Sequence, residues 1–307
     1  MSRPDALVHR VWPTFRFGRA VLHHCDCLKW LASQPPSSIH AVVTDPPYGL
    51  TEYSPREQHK LRAGRGGVWR IPPRFDGIER GPLPRFTVLT PDDLAALETF
   101  FLEWGRALLP VLVPGANVIV ASHPLVSFIV GSALARAGLE RRGEVIRLVS
   151  TLRGGDRPKA AHREFAQVSV MPRSMFEPWL AYRKRLDGRA QDNLRRWRTG
   201  GFRRVSAEKP FADVIRSAPT HRSERELARH PSLKPQSFLR ALVRAALPLG
   251  EGVVLDPFAG SGSTLAAAES LGYASIGVEK DRRYFALARA AVPRLAALRA
   301  EATHAVQ

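Results

Sequence analysis

The sequence predicts an α/β protein with a doubly wound, mostly parallel sheet. Short apolar runs alternate along the chain with longer segments in which apolar residues recur at helical spacing. This alternation is typical of parallel strands joined by helices. Of the 307 residues, 44% are hydrophobic, so the chain is long enough to bury a full core. We expect one large domain with an insertion, or two modest domains.

The first predicted β-α-β unit ends in the tetrapeptide DPPY. Two β-branched valines precede Asp45 and indicate the end of a buried strand. Pro46 and Pro47 can continue neither a helix nor a central strand. Asp45 and Tyr48 are therefore expected at a strand's end, where open α/β sheets place their ligand chemistry.

The remaining elements follow in order from periodicity and from helix-start signals. Thr90 and Pro91 fit the N-cap and the first position of a helix. The predicted elements are a strand and helix over 18–34, a strand over 38–44, a long basic loop over 51–90, a helix over 90–110, a strand over 115–122, a helix over 124–139, a strand over 144–153, a helix over 236–247, a strand over 252–256, a helix over 263–271, a strand over 274–279 and a helix over 281–291.

Charge indicates a polyanionic partner. Lys and Arg number 46 against 28 acids, a formal charge of +18, which fits DNA, RNA or an acidic membrane surface. The pattern of strands and helices breaks over 183–229, where arginines are interleaved with Trp197 and Phe202. A solvated face is the common origin of a charge run, but interleaved aromatics favour nucleic acid. The candidate contacts are Arg195, Arg196, Arg198, Arg203 and Arg204.

The sequence does not favour a metal or a membrane. The cluster HHCDC at 23–27 holds both cysteines, Cys25 and Cys27, and suggests zinc. Alternation along a strand would place residues 23, 25 and 27 on one face and residues 24 and 26 on the other, so buried thiols are the preferred interpretation. No apolar run of membrane-spanning length and no apolar signal-peptide core occur. We expect a cytoplasmic protein without metal.

A second chemical motif lies at VVLDPFAGSGST. A strand ends at Asp256 and a helix opens through Gly260 and Gly262, which let the backbone approach a ligand at a helix N-terminus. The spacing departs from the dinucleotide and phosphate-loop fingerprints. Glu279 ends the next strand and is placed to hold ribose hydroxyls. An adenosine-bearing ligand without phosphates fits this pattern.

Three motifs together resemble one enzyme family. DPPYG at 45–49, HPSLKP at 230–235 and DPFAGSGST at 256–264 look like the DNA amino-methyltransferases that use S-adenosylmethionine, in the permuted order of the β group. The resemblance implies a Rossmann-like methyltransferase fold with a basic target-recognition insertion. It implies that the cofactor contacts are Asp26, Lys234, Pro235, Asp256, Phe258, Gly260, Gly262 and Glu279. For His230, cofactor contact and a helix-flanking role both stay open.

The resemblance also gives DPPY a chemical role. Asp45 and the Pro46 carbonyl would accept the two hydrogens of a base amine, the prolines would hold that carbonyl in place, and Tyr48 would stack on the flipped base. Asp at the first position favours adenine N6 over cytosine N4. Transfer to carbon-5 of cytosine is disfavoured because neither cysteine follows a proline. A non-catalytic DNA-binding protein on the same scaffold is the rival from another class.

The expected organisation has three parts. Residues 1–182 form the catalytic half, residues 183–229 the basic recognition insertion, and residues 230–307 the cofactor-binding half. We expect double-stranded DNA as the partner, in the cytoplasm at the nucleoid. The sequence leaves open whether the chain forms a homodimer, which sequence it methylates and whether a restriction enzyme accompanies it.

Overall fold

The computed structural model describes residues 12–47, 74–75, 78–79, 90–149, 157–158, 161–230 and 232–298. Its strands are β1 (Thr14–Phe17), β2 (Ala20–His24), β3 (Ile39–Thr44), β4 (Arg74–Phe75), β5 (Ile78–Glu79), β6 (Leu112–Ala121), β7 (Glu140–Leu148), β8 (Phe176–Arg183), β9 (Val214–Arg216), β10 (Val253–Asp256) and β11 (Ala274–Glu279). Its helices are α1 (Cys27–Ala32), α2 (Pro91–Val111), α3 (Ser127–Arg136), α4 (Ala190–Trp197), α5 (Arg222–Leu227), α6 (Gln236–Ala246), α7 (Ser263–Ser270) and α8 (Arg282–Ala296).

Nine of these strands form one sheet in the order β1-β2-β11-β10-β3-β6-β8-β7-β9. The run from β2 to β6 is parallel, whereas β8 is antiparallel to both of its neighbours. Strand β10, from the end of the chain, lies beside β3, from its beginning, with Val254 opposite Ala41. The predicted doubly wound, mostly parallel sheet is confirmed.

Helices cover both faces of the sheet. Because successive strand residues point to opposite faces, Val42 and Val43 of β3 enter different cores. Val42 belongs to the cluster that holds Trp30 and Trp104 of α1 and α2, and Val43 to the cluster that holds Phe238 of α6. This two-sided burial explains why the central strands are continuous apolar runs.

Local signals placed the start of α2 correctly and the end of β2 wrongly. Thr90 and Asp93 form a reciprocal capping box with Pro91 at the helix start. The β2 strand ends at His24, because the Asp26 side chain accepts the Leu28 amide at 3.1 Å and begins α1. Alternation therefore does not extend to Cys27, which is the first residue of α1.

Both cysteines are buried, and neither forms a disulfide. Burial raises the pKa of the Cys27 thiol to about 12, so the thiol stays protonated at neutral pH. Among the residues that the structure describes, no group of three His, Cys, Asp or Glu side chains could hold a metal ion. No helix within the same ranges is both long and apolar enough to cross a membrane.

The basic range 183–229 is built into the sheet at several points. Strand β9 pairs with β7. Before it, Asn193 is fully buried and donates to Pro114 O at 3.1 Å and Thr199 O at 2.8 Å, while its Oδ1 accepts the Asp187 amide at 2.9 Å. Pro114 lies near the start of β6, so α4 is attached at the amino ends of the parallel strands.

Because α4 is attached to the sheet through Asn193, we expect this one side chain to affect the stability of the whole fold. Asn193→Ala leaves several buried backbone groups without partners, so we expect the free energy of unfolding to fall by about 3 kcal/mol. Urea unfolding followed by tryptophan fluorescence measures it. Gln191→Ala, an exposed change on the same helix, is the matched control and should leave stability near wild type. A separate early transition with an unshifted main transition would instead show that 183–229 folds independently.

Candidate active site

The carboxyl ends of four adjacent parallel strands carry the acidic residues singled out in the sequence. Asp26 follows β2, Glu279 ends β11, Asp256 ends β10 and Asp45 follows β3. Because these strands are neighbours in the order β2-β11-β10-β3, the four carboxylates line one edge of the sheet. A cavity at this edge is lined by Asp45 and Asp256 together with Lys234, Phe258 and Gly260.

Asp45 is held by a buried lysine. The Lys234 ammonium group donates to Asp45 Oδ2 and also lies 3.1 Å from Glu177 Oε1. Glu177 in turn accepts from Arg147 at 2.8 Å. Burial alone would lower the pKa of Lys234, but the charges of Asp45 and Glu177 raise it overall, so the amine stays protonated. The carboxylate of Asp45 is thereby fixed in one orientation.

The rest of DPPY is only partly described. Pro46 is buried and Pro47 is exposed. Tyr48 lies outside the described residues, and so does nearly all of the predicted basic loop from Thr51 to Thr90. The predicted contact of Tyr48 with a base therefore remains a prediction.

Asp256 connects the glycine loop to the strand that precedes DPPY. Its Oδ1 accepts the Thr44 hydroxyl at 2.6 Å and the Phe258 amide at 3.2 Å. Burial raises the pKa of Asp256 to about 6 even though these donors oppose the shift. The side chain thus joins β10 to β3 at the residue directly before Asp45.

The two glycines of the loop have different environments. Gly260 has a φ of +52°, and a Cβ there would lie 3.1 Å from His230 Nε2, so the backbone and the ring are in close approach. Gly262 has a φ of +78° and faces Val292 and Ala288 of α8 rather than the cavity. Gly262 also begins α7 without a side-chain cap. The first turn of α7 therefore offers amide groups to a ligand.

His230 closes one side of the cavity. Its ring makes an edge contact with Tyr284 at 4.5 Å between centroids. Burial lowers the pKa of His230 to about 4, so the ring is neutral at physiological pH. Next along the chain, Pro235 is the N-cap residue of α6 and Lys234 turns inward to Asp45.

The side chain of Glu279, on the neighbouring strand, is hydrogen-bonded to the glycine loop. Its Oε2 accepts the Gly260 amide at 2.8 Å, and its Oε1 accepts the Asp281 amide at 2.7 Å. Burial raises the pKa of Glu279, although the amide donors oppose the shift. One strand further, Asp26 caps α1 and lies 3.3 Å from the Lys280 ammonium group.

The sequence analysis did not identify the charged residues that hold the predicted site residues in place. Glu177 contacts Lys234, and Lys280 contacts Asp26, while Arg147 contacts Glu177. None of these three residues carries a motif. A lone acid at the start of the apolar run EPWLAY was a usable signal, because a buried carboxylate needs a cationic partner. The identity of that partner had no local signal.

The structure places the five predicted DNA-contacting arginines at the opposite edge of the sheet. Arg198 pairs with Glu251 at 2.9 Å, before β10, and Arg203 donates to the Tyr273 hydroxyl, before β11. An extended chain rises about 3.3 Å per residue, so Glu251 and Asp256 are at most about 17 Å apart. The others bond within the chain: Arg195 with Asp192, Arg196 with Asp187, and Arg204 with the carbonyls of residues 206–208.

Comparisons with known proteins agree with this geometry. Residues 159–290 match the family model N6_N4_Mtase, described as DNA methylase. The type II methyltransferase M2.DpnII of Streptococcus pneumoniae is 22% identical over 277 residues, 90% of this chain and 91% of that protein. TTHA0409, a putative DNA modification methylase of Thermus thermophilus solved with S-adenosyl-L-methionine, has a TM-score of 0.56 at 22% identity over 90% of this chain and 94% of that one. The cytosine-N4-specific PvuII methyltransferase has a TM-score of 0.55 at 15% identity, over 91% and 86%.

The chain thus shares the Rossmann-like fold of these solved methyltransferases. The family model and the similar methyltransferases support a DNA methyltransferase of the N6/N4 type. The family resemblance seen in the three sequence motifs is confirmed, as are the cofactor and the DNA methyltransferase activity that it implied.

The raised pKa of Asp256 predicts a pH-dependent stability. An acid whose pKa rises from 3.8 to about 6 on folding stabilises the fold at low pH, and this stabilisation is lost as pH rises through about 6. In the wild type, this group should lower the free energy of unfolding by on the order of 3 kcal/mol between low and neutral pH. Asp256→Asn should abolish that decrease. Urea unfolding at about pH 4 and about pH 7.5 measures it. Exposed Asp92→Asn should keep the wild-type dependence, and an equally steep Asp256→Asn profile would contradict the assignment.

Proposed function

We propose that this chain transfers a methyl group from S-adenosylmethionine to the N6 amine of adenine in double-stranded DNA. The observation that carries the proposal is the carboxylate of Asp45, held by the buried Lys234 beside the glycine loop that starts at Asp256. A fixed acceptor next to a ligand cavity is what amine activation requires.

Asp45 and Pro46 would act on the amine. An exocyclic base amine is a weak nucleophile because its lone pair is delocalised into the ring. An amine hydrogen donated to Asp45 and a second donated to the Pro46 carbonyl would draw the nitrogen towards a tetrahedral geometry and free the lone pair. Asp45 needs no reorientation to accept the amine hydrogen, since Lys234 already holds its side chain in place.

The chemistry of the residues in and around the cavity supports the cofactor. The close approach at Gly260, the uncapped start of α7 and the buried carboxylate of Glu279 match an adenosine-bearing amino acid without phosphates. Glu279 would bind the ribose, Gly260 and Phe258 the methionine end, and Asp26 with Lys280 the region of the adenine. When bound, S-adenosylmethionine supplies an electrophilic methyl group. Gly262 would contribute by fixing the turn rather than by contact.

The choice of base rests on the first motif residue. Asp at position 45 supports adenine N6 through the family resemblance, while cytosine N4 is the alternative because the PvuII enzyme is described as cytosine-N4-specific and shares this fold. A double-stranded DNA substrate would place the activity in the cytoplasm, at the nucleoid. A DNA-binding protein without catalysis is the third hypothesis, and such a protein would not require a buried lysine on Asp45.

Asp45→Asn tests the mechanism. The amide keeps the size of the side chain and an oxygen for Lys234, but it is a weaker acceptor for the amine. We expect methyl transfer to fall by about two to three orders of magnitude while S-adenosylmethionine and DNA binding persist. A filter assay with labelled cofactor and genomic DNA, beside binding titrations, measures this. Asp213→Asn, an exposed change, is the control. Near-normal transfer by Asp45→Asn would exclude Asp45 from the chemistry.

The product identifies the base. Digestion of methylated DNA to nucleosides and mass spectrometry should show N6-methyladenine. N4-methylcytosine in its place would overturn the choice of base and leave the class of reaction intact. Absence of both methylated nucleosides, with S-adenosylmethionine and DNA bound, would support the non-catalytic hypothesis.

Glu279→Ala tests the cofactor site. Loss of hydrogen bonds to a charged group costs about 1.5 to 3 kcal/mol, so S-adenosylmethionine affinity should fall about ten- to a hundredfold. Calorimetric titration measures the affinity, and a thermal melt checks the fold, since Glu279 also holds the Gly260 amide. Glu103→Ala, exposed on α2, should bind the cofactor like the wild type. Wild-type affinity in Glu279→Ala would remove Glu279 from the site.

A further inference from the structure

Exposed apolar side chains are concentrated at the edge of the sheet that carries the active site. Nine large apolar residues are exposed in the described part of the chain, and seven of them lie beyond the carboxyl ends of the parallel strands. Two, Leu125 and Phe128, follow β6. The other five belong to residues 161–176, here named the edge segment, and they are Phe165, Val168, Val170, Met175 and Phe176.

The edge segment is joined directly to the active site. It leads into β8, whose second residue is Glu177, the partner of Lys234. At its base, Phe176 pairs with Leu148 of β7, and the Val149 amide donates to Met175 O at 3.1 Å. A molecule that places a base beside Asp45 would therefore meet this segment.

The same edge carries arginines that are not neutralised within the described part of the chain. Arg163 and Arg173 are exposed in the edge segment, and Arg216 is exposed at the end of β9, next to Leu148. None of these three side chains has a hydrogen bond or ion pair within the described ranges. The five arginines at the opposite edge are all engaged by acids, carbonyls or a hydroxyl. Phosphate binding there would compete with those contacts.

We propose that the edge segment, with Arg216, is the surface that receives duplex DNA. Arg163, Arg173 and Arg216 bind phosphates, and the exposed Phe165 packs against bases near the flipped nucleotide. Charge decides in favour of DNA over a second copy of this chain, because a chain of formal charge +18 repels its own copy and attracts a polyanion. The inference rests on the proposed function for the DNA substrate.

Two triple variants with equal loss of charge test the surface. The edge variant combines Arg163→Ala, Arg173→Ala and Arg216→Ala. The matched control combines Arg195→Ala, Arg196→Ala and Arg198→Ala, at the opposite edge. Fluorescence anisotropy with a short labelled duplex of mixed sequence gives the dissociation constant at several salt concentrations. The edge variant should flatten the slope of log affinity against log salt by about 2.7, or 0.9 for each phosphate contact, and the control should keep the wild-type slope.

Phe165→Ala separates base contact from phosphate contact. Packing on bases releases no counterions, so this variant should weaken binding at every salt concentration and leave the slope unchanged. S-adenosylmethionine binding and the thermal melt of the edge variant and of Phe165→Ala should match the wild type, because the changed side chains are exposed.

Three outcomes would overturn the inference. An unchanged slope in the edge variant would do so, as would a flattened slope in the control alone, which would place DNA at the amino edge. The third outcome combines two measurements. If the double variant Phe165→Asp with Val170→Asp changes from dimer to monomer on sedimentation, and the edge variant keeps the wild-type slope, the surface is a contact between two copies of the chain. A wild-type protein that binds the duplex yet methylates no DNA would instead contradict the proposed function and leave the surface standing.

Discussion

The buried ammonium group of Lys234 is the interaction on which the active site depends. It joins Asp45 and Glu177, which lie in distant parts of the sequence, and Arg147 completes the network behind them. Burying such charges costs several kcal/mol for each ion, and the cost is offset only when every charge has partners in good geometry. The network therefore exists in one arrangement, and that arrangement determines where the Asp45 carboxylate points.

The glycine loop is fixed to the same site by a second set of bonds. Asp256 accepts the Thr44 hydroxyl, and Glu279 accepts the Gly260 amide. Both acids are buried and have raised pKa values, so the fold gives up some stability at neutral pH to keep polar groups at this edge. Because β10 and β3 are neighbours in the sheet, the order of the two motifs along the chain does not affect their spatial relation.

Positive charge has two different uses in this protein. At the amino edge, arginines such as Arg198 attach the 184–204 region to the sheet through acids and carbonyls. At the carboxyl edge, exposed arginines such as Arg163 have no partner in the described ranges and lie beside exposed apolar side chains. Net charge by itself indicates a polyanionic partner, but it does not indicate which arginines are available to it.

The sequence by itself determined the fold class, the positions of most elements and the residues at the carboxyl edge, because periodicity, caps and strand ends depend on residues a few positions apart. It also placed Asp45, Asp256 and Glu279 at strand ends. Only the tertiary structure decided that Lys234 binds Asp45, that Gly262 packs on α8, and that the predicted arginines lie at the far edge. Those outcomes depend on contacts between residues as far as 189 positions apart, and on competition among many arginines for a few acids, which local patterns do not encode.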